Sequence, residues 1–75
     1  MRDMTEAVTA TQAIIRKAGG PRHLHKEHGI GGGEGTIYNW YHDGIPKKYW
    51  EQIAELAGVS VIDVFNADKA VREAA

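Results

Sequence analysis

Glycine and proline punctuate this chain so closely that no helix in its middle can grow long. Gly19-Gly20-Pro21, Gly29, the run Gly31-Gly32-Gly33 with Gly35, Gly44-Ile45-Pro46 and Gly58 all fall between positions 19 and 58. Glycine accepts the left-handed conformation that closes a helix, and proline suits the first turn of the next, where its missing N–H costs nothing. A glycine followed at once by proline therefore stops one helix and starts another, with little chain between them and a sharp crossing angle.

The segments between these marks carry helical spacing. The first helix is expected over Asp3 to Ala18, where Asp3 and Glu6 have capping-box spacing and Ala7, Thr11, Ile14, Ile15 and Ala18 form one apolar face. A second is expected over Pro21 to His28, and a third from about Gly35 to Asp43 with Ile37, Trp40 and Tyr41 on its inner side. Pro46 to Ala57 reads as a fourth, with Trp50, Ile53, Ala54 and Ala57 apolar. Ser60 and Asp63 repeat the capping-box spacing and open a fifth, with Val61, Val64 and Phe65 facing inward. Both tryptophans are assigned to the core. No strand pattern is present, so the expectation is an all-α, compact five-helix domain with its core over about 4–67. Residues 68–75 read as a helical extension, a dimer contact or a frayed end.

A single 75-residue domain buries only about 60% of its unfolded surface, which leaves little room for a deep pocket. No credible triad or carboxylate pair is present, so no catalytic residue, cofactor or small-molecule substrate is expected. The absence of cysteine removes disulfides and thiolate zinc sites and fits a reducing compartment. The lack of a long apolar run, with Asp3 and Glu6 where a leader would be basic, makes a cytoplasmic rather than membrane location the expectation. Net charge is −1, but it is unevenly placed. Between Arg16 and Lys48 six cations face three carboxylates, +3, while the remainder holds three cations and seven carboxylates, −4. One basic side suits approach to a polyanion.

The stretch PRHLHKEHGIGGGEGTIYNWYHDG, Pro21 to Gly44, reads as two short helices joined by a glycine-rich turn, a helix-turn-helix. Together with IIRKAGG before it and IPKKYWEQIAELAGVSVIDVF after it, this stretch resembles Cro-like phage repressors. The resemblance is closest to the small YdaS-type regulators with a five-helix DNA-binding domain. Leu24, Gly29, Ile37, Trp40, Pro46, Gly58 and Ser60 occupy the family's pattern positions, between about Ile14 and Phe65. The resemblance implies a lambda-repressor-like fold and a sequence-specific regulator of transcription in a bacterial host, of the Cro-like repressor kind. Its implied partners are a double-stranded DNA operator and a second copy of the chain, Val64, Ala67 and Val71 being apolar positions available to a homodimer. Two departures mark this chain. His25 stands where the family has alanine, and Gly29 to Ile37 spans eight residues instead of six. Both point to a widened, mobile turn that moves the recognition helix outward, makes room for an imidazole and orders on DNA.

By motif position, Glu34, Tyr38, Asn39 and His42 are the candidates to read bases, since the recognition helix lies in the major groove. Asn39 is the strongest, because a carboxamide pairs bidentately with adenine. Arg22, His23, Lys26, Thr36, Lys47 and Lys48 are the candidates to hold phosphates, with Lys47 and Lys48 placed at the start of the fourth helix. Thr36 suits capping of the recognition helix equally well.

Competing readings are weaker or less specific. His23, His25 and His28 could ligate zinc, but no cysteine or fourth ligand accompanies them, and no metal is expected. The loop GIGGGEGT lacks the Lys-Ser/Thr ending of a nucleotide loop and follows a helix rather than a strand. A protein-interaction module is the main alternative, an antirepressor or a binder of a host regulator, with Tyr38, Tyr41 and Tyr49 as anchors.

Overall fold

The computed structural model describes residues 4–74, with side chains described over 8–73. Five α-helices follow in order: α1 (Met4–Lys17), α2 (Pro21–His28), α3 (Glu34–Asp43), α4 (Trp50–Ala57) and α5 (Val61–Ala74), with a 3₁₀ turn at Lys47–Tyr49. No strand occurs among the described residues. The all-α expectation holds, and none of the described helices is long and apolar enough to cross a membrane.

The punctuation works as its chemistry requires. Gly19 N–H donates to the Arg16 carbonyl at 3.1 Å and Gly20 N–H to Ile15 at 2.9 Å, the paired bonds of a Schellman ending, and Pro21 opens α2 directly. Gly58 closes α4 the same way, its N–H donating to the Glu55 carbonyl at 3.2 Å and the Val59 N–H to Ala54 at 3.0 Å. The Ser60 and Asp63 capping box forms in both directions, at 3.1 and 3.2 Å. Its counterpart at Asp3 lies outside the described residues.

α1 packs against α3, α4 and α5, and α2 rests on α3. Ile15, Leu24, Ile37, Ile45, Ile53 and Val64 are completely buried between them. Thr11, on the same face of α1, is buried too, and its Oγ1 donates to the Tyr41 carbonyl at 2.9 Å. That carbonyl lies in the last turn of α3, where no intrahelical donor remains, so a buried hydroxyl meets an orphan acceptor.

Three expectations need correcting. The fourth helix does not begin at Pro46. Pro46 is extended at ψ 137°, Lys47–Tyr49 form one 3₁₀ turn, and the α-helix starts at Trp50. The indole N–H of Trp50 donates to the Ile45 carbonyl at 2.6 Å, which holds the chain in this tighter path. Second, Val61 and Phe65 do not pack inward. The buried stripe of α5 is Val64, Ala67, Asp68, Ala70 and Val71, and this stripe turns Val61, Ile62 and Phe65 toward solvent, 40%, 68% and 44% exposed. The Phe65 ring stands edge-on to Trp50, centroids 5.6 Å apart. Third, the chain after Ala67 is a helical extension, and Val64, Ala67 and Val71 lie inside the protomer, which removes them as a dimer contact.

Asp68 is the polar residue least suited to its place. It is buried, its Oδ2 accepts from Arg72 Nε at 2.7 Å, and its Oδ1 has no hydrogen-bond partner. Oδ1 sits where a side chain on Gly44 would stand. Gly44 itself has φ 96° and ψ 161°, a region essentially closed to residues with a Cβ. Gly44→Ala should therefore lower the unfolding free energy by about 2 kcal/mol or more, combining backbone strain with a clash. Gly58→Ala, at φ 71° with open space beside it, should cost only about 1 kcal/mol. Urea denaturation of both variants checks the order.

Candidate nucleic-acid interface

α3 divides cleanly between a packed side and an open one. Ile37 and Trp40 are buried and Tyr41 half-buried, which turns Glu34, Gly35, Tyr38, Asn39 and His42 outward along one solvent-facing stripe. All four candidate base-reading side chains therefore stand together on the exposed face. Tyr38 is 49% exposed, with its ring edge-on to Tyr41 at 5.7 Å, so packing restrains it without hiding it.

The first turn of α3 is open to an anion. Gly33 is the N-cap, so no side chain satisfies the leading N–H groups, and Thr36, inside the helix and exposed, does not cap it. Glu34 at the first helical position complements the helix dipole, which accounts for its place without a base contact. Asn39 and His42 are exposed, with His42 in the last turn, where a cation is favoured.

The glycine-rich turn before α3 is anchored at its start. Gly29 closes α2 in the left-handed conformation, at φ 65°. Ile30 is buried, with its N–H on the Leu24 carbonyl at 3.1 Å. His25 Nδ1–H donates to the Ile30 carbonyl at 3.3 Å, because a carbonyl only accepts. The imidazole thus braces the widened turn. A Cβ on Gly31 would press on Ile37 at 3.2 Å and approach Trp40, so the loop runs close over the core before the chain reaches Gly32 and Gly33.

Arg22, His23 and Lys26 are exposed on α2. Lys47 and Lys48 are exposed too, on the 3₁₀ turn that leads into α4 rather than within α4 itself. Tyr49 ties that turn to α3 by stacking on Trp40 at 5.3 Å, and Lys48 Nζ lies 5.1 Å over the Tyr49 ring. The three histidines read as a metal set do not assemble, since His25 faces the turn while His23 and His28 face each other.

Sequence reasoning missed Arg16 as a member of this surface. Burial pushes the Tyr41 hydroxyl above its ordinary value, Tyr38 pushes the same way, and the nearby Arg16 guanidinium pulls it down. Arg16 thus stands at the α3 side of the domain, exposed and cationic. Its only signal in the sequence was its share of the basic segment's charge. Compared with protein-family models, curated proteins and solved structures, the chain matches none.

The raised value makes Tyr41 an alkaline liability. A group that binds its proton more tightly when folded contributes stability below the ordinary tyrosine value of 10.0 and loses it as pH rises through the folded value. Unfolding free energy should decline above pH 10.0, and Tyr41→Phe should flatten that decline. Urea titrations across the alkaline range measure both.

Proposed function

We propose that this protein is a sequence-specific double-stranded DNA-binding regulator of transcription, of the Cro-like repressor kind. The observation that carries the reading is the two-sided α3, which buries Ile37 and Trp40 and presents Glu34, Tyr38, Asn39 and His42 together beside an uncapped N-terminus. A helix of ten residues held this way fits the major groove with its polar stripe toward base edges. Arg16, Arg22, Lys26, Lys47 and Lys48 supply exposed charge for phosphates on neighbouring elements.

Lys47→Ala and Lys48→Ala should weaken all duplexes alike and each flatten the salt dependence by about one unit, whereas Asn39→Ala should change which sequence is preferred. Mobility shifts of promoter-length duplexes over a salt series separate these effects. Absence of any shift at low salt, with folding confirmed by circular dichroism, rejects the reading.

A second copy completes it, because one domain carries a single recognition helix and two-fold operators present two half-sites. With Val64, Ala67 and Val71 internal, the apolar positions left to such a contact on α5 are Val61, Ile62 and Phe65. The same patch is the observation that favours the alternative, a module that grips another protein. Sedimentation should show dimers that Ile62→Glu converts to monomers without loss of helicity. Monomers throughout, free at high concentration and on DNA, would exclude the homodimer.

A further inference from the structure

Two imidazoles at opposite ends of α2 converge on one point. His23 Nε2 and His28 Nε2 lie 3.3 Å apart, with ring centroids 5.0 Å apart and planes at 71°. Residues five apart on a helix point in directions about 140° apart, so this meeting is not automatic. His28 is the last residue of the helix, and the His23 ring occupies the space beside Gly19 that any Cβ there would fill. The absent side chain at Gly19 lets the His23 ring lie where it meets His28.

With no ion between them, one ring donates its Nε2 proton to the other. Moving that proton to Nδ1 of the same neutral ring leaves two Nε2 lone pairs and releases no net proton. Two nitrogens bound at about 2.05 Å to one tetrahedral ion stand about 3.3 Å apart, which is the separation found here. We propose that His23 and His28 form a two-histidine chelate for a divalent transition-metal ion such as zinc, with water in its remaining positions. His25 takes no part, because its ring turns to the Ile30 carbonyl and does not join His23 and His28 in a three-ligand group. No group of three or more His, Cys, Asp or Glu suited to a metal occurs among the described residues, so the site is open and folding does not depend on it. An ion there places two further positive charges on the helix that carries Arg22 and Lys26, both exposed. The inference rests on the imidazole geometry and stands apart from the DNA reading.

Imidazole ligands select zinc, copper or nickel over magnesium. Calorimetric titration of the full chain with zinc chloride at neutral pH, without DNA, should give one ion per chain, and magnesium chloride should give no binding. In a parallel NMR titration the His23 and His28 ring signals should move together while those of His25 and His42 stay. His23→Gln and His28→Gln, both at exposed positions, should each lower the zinc affinity at least about tenfold by removing the preorganised second ligand. Circular dichroism should show the same helicity in each. Zinc affinity unchanged in the doubly substituted chain, shifts centred on His25 or His42, or no binding at millimolar zinc would each overturn the chelate.

Discussion

The C-terminal end of α3 is where the domain is tied together. A helix leaves its last carbonyls without intrahelical donors, and burying that end requires partners from elsewhere. Here Thr11 of α1 reaches the Tyr41 carbonyl, Gly44 N–H returns to Trp40 at 3.0 Å, and the Asp68 carboxylate of α5 fills the space beside Gly44. Three helices meet at a backbone conformation that only glycine adopts at low cost. The direction in which α3 leaves the core follows from that junction.

Its other end is held by different means. The turn after α2 contains enough glycine to be costly to order, yet Ile30 drops into the core and His25 grips its carbonyl, so the free length shortens to Gly31, Gly32 and Gly33. The connection into α3 is therefore not loose at its start. Between the two anchored ends, the outer stripe of Glu34, Tyr38, Asn39 and His42 stays exposed, Tyr38 with its edge against Tyr41. An exposed polar helix face is what the proposed major-groove reading would use.

Electrostatics and packing divide the molecule along the same line. The basic segment from Arg16 to Lys48 spans the end of α1, α2, α3 and the 3₁₀ turn, whereas the acidic excess lies largely on α4 and α5. The apolar patch of α5 and the basic elements are thus carried by different parts of the chain. Asp68 is the exception among the carboxylates. It is buried, paired on one oxygen, and spent on the α3 junction.

Much of the helix plan was legible because local chemistry sets it. The Gly19-Gly20-Pro21 break, the Gly58 ending and the Ser60–Asp63 box need only their own neighbours, and the spacing of Ile37 and Trp40 alone decides which side of α3 is polar. Where the sequence misled, longer-range contacts had decided. Lys47–Tyr49 became a 3₁₀ turn with the Trp50 indole bonded back to Ile45, and Phe65 faced outward because Asp68 and Val71 set the rotation of α5. The same holds for the candidate surface. Periodicity could list Asn39 and His42 as exposed, but only the tertiary structure could bring Arg16 beside Tyr41, join Lys48 to α3 through Tyr49 and Trp40, and break the three histidines into a brace and a pair. Backbone punctuation and helical period act within a few residues and are written in the chain. Which side chains meet depends on how the helices cross, and that is fixed only when the whole core closes.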